Sequence, residues 1–100
     1  MSGWRLTHQA EDDLFDIWCY VARDNLDAAN EVEESIYLAC DLLSESPFAG
    51  RTRTDLTSLP LRFWLVLPHK IYFIVYDPET KPLKIVRVMH GARNLPSSLR

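Results

Sequence analysis

Leu83-Lys84-Ile85-Val86-Arg87-Val88-Met89-His90-Gly91-Ala92-Arg93-Asn94-Leu95 is the stretch whose reading decides the fold. Its β-branched residues suit a pleated, packed strand, and Gly91 centres the turn that stops it. Arg87 stands out inside this apolar run. A guanidinium at such a position needs either a partner or a wet, ligand-facing surface. On strict alternation Arg87 shares a face with Ile85 and Met89, and His90 points the other way. Arg93 follows on a short tail.

Working outward, Asp77-Pro78-Glu79-Thr80-Lys81-Pro82 is a strong turn. Before it, residues 70–76 are almost wholly apolar and read as a central strand. Pro68-His69 makes a tight turn. Residues 61–67 alternate, with Leu61, Phe63, Leu65 and Leu67 on one face and Arg62, Trp64 and Val66 on the other. Strands joined by such short turns pair antiparallel. From Pro47 to Pro60 the periodicity is lost, and this loop carries Arg51 and Arg53.

The first half of the chain is helical. Trp4-Arg5-Leu6-Thr7 is a short strand candidate, with Thr7 as a helix N-cap. Ala10, Leu14, Ile17, Trp18 and Val21 then form one apolar stripe, and Asp12, Asp13, Asp16 and Arg23 take the other side. Residues 24–27 carry turn chemistry, and Asp27 is placed to cap a second helix over about 28–44. Ala29, Val32, Ile36, Ala39 or Cys40, and Leu43 are its apolar stripe. Ser46-Pro47 ends it, because proline disfavours helical geometry in the residue before it. The order is therefore β-α-α-β-β-β. It describes an α+β fold, a helical hairpin packed on a small, mainly antiparallel twisted sheet.

One hundred residues, 47% hydrophobic, are enough for one domain over 1–100 with its own core. No apolar run is long enough to span a bilayer, and Met1-Ser2-Gly3-Trp4-Arg5 lacks the apolar core of a signal peptide, so a cytoplasmic location is expected. Cys19 and Cys40 fall in helical patterns and read as small buried hydrophobes rather than a disulfide. The net charge of −3 hides a split. Residues 1–50 hold eleven acids against two arginines, and residues 51–100 hold nine Lys or Arg against three acids. That pattern points to an acidic helical face and a basic sheet face, and to an acidic ligand for the C-terminal half, either nucleic acid or an acidic protein segment.

Several chemistries lack their residues. Cys19, Cys40, His8, His69 and His90 have no metal-ligand spacing. The three glycines, Gly3, Gly50 and Gly91, form no phosphate loop. The carboxylates sit mostly on outer helix faces, which disfavours paired-acid catalysis. What remains is a basic and aromatic set: Arg51, Arg53, Arg62, Trp64, Arg87, His90 and Arg93. The arginine fork suits phosphate or carboxylate. Equally, Arg87 can pair with an acid such as Asp55 and fix the loop, Trp64 can be a half-buried sheet residue, and His90 a turn histidine bonded to backbone.

Four pieces taken in order resemble the ParE branch of the RelE/ParE toxin superfamily. The first is Ala10-Glu11-Asp12-Asp13-Leu14-Phe15-Asp16-Ile17-Trp18-Cys19-Tyr20-Val21-Ala22. The second is Leu42-Leu43 followed by Ser46-Pro47-Phe48-Ala49-Gly50-Arg51. The third is Leu61-Arg62 followed by residues 72–76. The fourth is Ile85 to Leu95, with Asn94 where the family more often has aspartate. The resemblance implies a toxin of a type II toxin–antitoxin system, neutralised in a hetero-oligomer by a cognate ParD-like antitoxin with a ribbon-helix-helix domain. It implies contact with DNA only through that antitoxin, and no cofactor. ParE members act on DNA gyrase, whereas RelE members are ribosome-dependent mRNA endonucleases. On the second branch Arg87 would stabilise phosphate and His90 would move a proton. Residues 61–67 carry no lysine or glutamate for the remaining acid–base work, and Gly91-Ala92-Arg93-Asn94 follows the ParE pattern.

Overall fold

The computed structural model describes residues 3–68 and 71–91. In chain order these form β1 (Trp4–Leu6), α1 (His8–Ala22), α2 (Leu26–Glu45), β2 (Arg51–Thr52), β3 (Arg62–Leu65), β4 (Tyr72–Asp77) and β5 (Leu83–His90). The sheet order is β1-β5-β4-β3-β2. β1 pairs with β5 in parallel, and every other neighbour pair is antiparallel. The α+β class, the helical hairpin and the mainly antiparallel sheet are as expected. The loop after the helices adds a two-residue edge strand, β2, which its lack of alternation concealed.

Local chemistry sets the helix ends. Thr7 caps α1, its hydroxyl accepting from the Ala10 N–H at 3.1 Å. The second helix starts earlier than expected, at Leu26. Asn25, not Asp27, is its cap and accepts from the Ala28 N–H at 3.0 Å. Asp27 sits instead in the first turn, where the helix dipole favours an acid. The helix runs to Glu45 and is closed by Ser46.

The helices cover one face of the sheet. Leu14, Val32, Ile36, Cys40 and Leu43 pack there against Tyr72, Ile74, Tyr76, Leu83, Ile85 and Val88, with Trp64 at the margin. Trp4 ties the sheet to the helices, and Trp18 ties the two helices to each other. Trp4 Nε1 donates to Asp41 on α2 at 2.7 Å, and Trp18 Nε1 donates to Asn30 at 2.9 Å. The opposite sheet face holds a smaller cluster of Leu61, Phe63 and Val75, joined by Leu56, Val86 and Met89. Cys40 is buried as expected, whereas Cys19 is only half-buried. No described helix is long and apolar enough to cross a membrane.

β5 does not keep strict alternation. Its register with β4 shifts by one residue, Arg87 facing Val75 while Ile85 faces Tyr76. This β-bulge at Val86–Arg87 reverses the phase of the strand. Ile85 and Val88 therefore both face the helices, and Met89 joins the opposite face. The expectation that Arg87, Ile85 and Met89 share a face is corrected by this extra residue. His90 also lands on the helix side, its ring edge-on to Tyr72 at 5.6 Å between centroids.

Candidate functional site

The bulge needs partners, because an extra residue frees backbone groups from the β4 ladder. α1 supplies them. β1 ends at Leu6, and from there the helix takes over the outer edge of β5. The Thr7 N–H donates to the Ile85 carbonyl at 3.0 Å, and the Thr7 hydroxyl donates to the Val86 carbonyl at 2.7 Å. Further along the helix, Asp13 accepts from the Val88 N–H at 3.0 Å. The same carboxylate accepts Arg87 Nε at 2.7 Å and Nη2 at 2.8 Å, a two-pronged charge-assisted pair. The two side chains are only 20% and 14% exposed, so water competes weakly for them.

This geometry answers the question posed by an arginine in an apolar strand. Its fork is filled by Asp13, and the hydrogen bond from Arg87 to that carboxylate raises the arginine's pKa further. The expected alternative partner, Asp55, lies elsewhere and binds Arg53. Asp13 is thus not on the outer side of α1. Ala10, Asp13, Leu14 and Ile17 have the spacing of one helix face, and that spacing was the signal available. The polarity of Asp13 masked it.

The other arginines separate. Arg62 is turned inward to the loop after α2. Its Nη1 donates to the Gly50 carbonyl at 2.7 Å, and its guanidinium lies 5.0 Å from the centre of the Phe48 ring. The Gly50 N–H in turn donates to the buried Tyr76 hydroxyl at 2.8 Å. A β-carbon on Gly50 would lie 2.5 Å from that hydroxyl, so the close approach needs glycine. Burial pushes the Tyr76 phenol upward. Arg53 bonds Asp55 through two nitrogens, which holds the Asp55 carboxyl below its usual range. Trp64 is half-buried against the main core. Arg93, with Ala92, Asn94 and Leu95, lies outside the described residues, as do His69 and Lys70.

Arg51 and Arg53 do meet, on the sheet face away from the helices. They border an open groove of about 390 Å³ whose apolar lining includes Phe63, Leu65, Leu67 and Phe73. Leu65, Leu67 and Phe73 were not singled out by sequence reasoning, since leucine and phenylalanine in strands are ordinarily core. β2 ends before it reaches Leu65, which is half-buried, and Phe73 lies on the inner strand β4 between β3 and β5. The groove is apolar with a basic rim. Such a lining holds an apolar chain with an acidic group, and offers no set of groups for proton transfer.

The comparisons with known proteins agree with this architecture. A structure described as the chromosomal ParDE TA system from P. aeruginosa superposes with a TM-score of 0.70 at 20% identity, covering 90% of this chain and 96% of that one. At that identity the likeness speaks for the fold. No curated protein sequence matches significantly. The family model described as "ParE toxin of type II toxin-antitoxin system, parDE" matches residues 4–95. That span takes in every element from β1 to β5, and the chain belongs to the ParE family of type II toxin–antitoxin toxins.

Proposed function

We propose that this chain arrests growth by poisoning DNA gyrase in the cytoplasm, as one domain over residues 1–100, and is neutralised by a cognate ParD-like antitoxin. The observation that carries the reading is the Asp13–Arg87 pair. An RNase acting through the 2′-hydroxyl needs a base, an acid and charge stabilisation together. Arg87 is the residue a nuclease of this superfamily would use for charge, and its fork is already taken by a carboxylate. A non-catalytic mode, in which a surface is recognised by a protein target, needs no free fork. The target and the antitoxin are met through Arg51, Arg53, Arg62, Trp64, His90 and Arg93, with Arg87 holding the strand in place.

The charge layout supports an acidic neutralising partner. Residues 8–45 carry eleven acidic side chains and one arginine, while the groove on the opposite face is rimmed by arginines. An antitoxin tail that is acidic and apolar fits that rim. The deciding experiment is supercoiling by purified gyrase with and without the purified chain. Inhibition that disappears on adding the antitoxin is expected, and full gyrase activity under a large excess of toxin refutes the reading. The mRNA endonuclease reading would require Arg87 to leave Asp13. Transcript cleavage in a translating extract that depends on both Arg87 and His90 would establish it instead.

A further inference from the structure

Neither helix contains a lysine or an arginine, and α2 alone carries six acids. Three of them fall on one line with two leucines. Glu31, Glu34, Leu38, Leu42 and Glu45 are spaced by three, four, four and three residues, which keeps them on one side of a helix. That side is opposite the buried stripe of Ala29, Val32, Ile36, Cys40 and Leu43, and all five residues of the line are exposed. The line is acidic at both ends and apolar in the middle, where Leu38 is 60% and Leu42 47% exposed. It runs roughly 21 Å from Glu31 to Glu45, at the helical rise of about 1.5 Å per residue.

Two features of this line are unfavourable in the chain on its own. Among the described residues no cation pairs with Glu31, Glu34 or Glu45. Glu45 closes the helix, and the last turn holds no basic residue, so its carboxylate sits at the negative end of the helix dipole without a counter-charge. Charge also selects what can cover the leucines. A second copy of the chain would bring the same acids together. Nucleic acid and an anionic membrane carry the wrong sign. The acidic antitoxin tail read for the opposite face is turned away for the same reason. A basic protein segment is attracted by the three carboxylates and by the helix end, and in helical form its apolar side chains at i and i+4 match Leu38 and Leu42.

We propose that the outer face of α2 docks a basic amphipathic helix of a partner protein, with apolar side chains over Leu38 and Leu42 and lysine or arginine on Glu31, Glu34 and Glu45. This contact is separate from the basic set on the sheet. For the identity of the partner it rests on the gyrase reading, since an enzyme that grips DNA presents cationic surfaces. The surface itself is tested without gyrase.

The probe is a labelled helical peptide of about four turns, with leucine on one face and lysine on its flanks, titrated with the full chain and read by fluorescence anisotropy. A second peptide carries glutamate in place of lysine. The lysine peptide is expected to bind, more weakly as salt rises, and the glutamate peptide is not. Leu38→Gln with Leu42→Gln should weaken binding roughly tenfold. Glu31→Lys, Glu34→Lys and Glu45→Lys together should reverse the preference, so that the glutamate peptide binds better. All five positions are exposed, so both variants should melt close to the parent. Equal binding of the two peptides, or no loss in the leucine variant, overturns the proposal. So does a parent dimer in sedimentation that the leucine variant abolishes, because a second copy is then the occupant. Failure of the leucine variant to bind the antitoxin overturns it too, since the antitoxin then covers this face. Purified gyrase separates the surface from the reading of the target. Inhibition by the parent but not by the charge-reversed variant supports both. Equal inhibition by the two leaves the gyrase reading standing and overturns α2 as its contact. Selective peptide binding by a chain that leaves gyrase active supports the surface and removes gyrase as the partner.

Discussion

Asp13→Ala should be the most destabilising single polar substitution in the described part of the chain. The carboxylate accepts from Arg87 Nε, Arg87 Nη2 and the Val88 N–H. Removing it leaves a guanidinium only 20% exposed and a strand N–H without partners. Breaking a fully buried ion pair costs about 3–5 kcal/mol, and breaking an exposed one about 0–1. This pair lies nearer the buried limit, which gives about 3 kcal/mol. For a domain of this size that lowers the melting temperature by roughly 15 °C. Urea unfolding followed by circular dichroism measures it, with an unchanged denaturant slope showing that the folded state is the same. Asp13→Asn keeps one acceptor for the Val88 N–H and should recover about 1 kcal/mol. The double variant Asp13→Ala with Arg87→Met removes both charges at once, so its cost should fall short of the two single costs added together by about 2 kcal/mol. An Asp13→Ala protein within about 0.5 kcal/mol of the parent would refute the assignment of Asp13 as the clamp of the bulge.

Gly50→Ala forces a β-carbon to within 2.5 Å of the Tyr76 hydroxyl and 3.0 Å of the Phe63 carbonyl, and should cost about 2 kcal/mol in the same unfolding assay. Iodoacetamide at neutral pH should label the half-buried Cys19 and spare Cys40 until the chain is unfolded, as mass spectrometry of the alkylated protein would read. Burial pushes the Cys40 thiol up to about 12 from an ordinary value of 9.0. Its unfolded form therefore loses the proton first. Stability is intact below pH 9 and falls by up to about 1.4 kcal/mol per pH unit as pH rises toward the folded value; Cys40→Ala should flatten that slope. Asp55 is depressed by its hydrogen bond from Arg53, so its contribution is present above the usual carboxylate range and disappears as pH falls through the lowered value. An NMR titration should place the Asp55 midpoint lower in the parent than in Arg53→Gln, with the gap closing in high salt because the pair is exposed.

Most of the architecture was legible because it rests on local periodicity. The buried stripe of α2 contains Ala29, Val32, Ile36 and Leu43, read from spacing alone, and both Ala39 and Cys40, between which spacing does not choose. The Thr7 cap and the proline-bounded end of the hairpin follow from single-residue chemistry. β2 was invisible because two residues carry no period, and its pairing with β3 spans a loop. Asn25 displaced Asp27 because several side chains in that turn can cap, and only the path of the chain chooses between them. The site was harder still. Arg87 was picked out correctly as a residue in need of a partner, but that partner lies 74 positions away on α1. Contacts of that range are set by packing, which no window on the sequence samples. The phase of β5 was missed for a related reason, since the residues around Val86 and Arg87 are compatible with either an unbroken strand or a bulged one.

The bulge also makes β5 a place where residue number itself matters. Up to Ile85 the strand keeps one phase against the helices, and from Val88 it keeps the other. Removing one residue between them would merge the two phases, carrying Met89 into the space of Val88 and moving His90 away from Tyr72. Adding one residue would do comparable damage in the opposite sense. Length changes are tolerated where a loop can absorb them, and the turn from Asp77 to Leu83 is such a place. Two residues further on, the chain should accept almost no insertion or deletion, because Thr7 and Asp13 are spaced along a rigid helix to meet a fixed count of backbone groups.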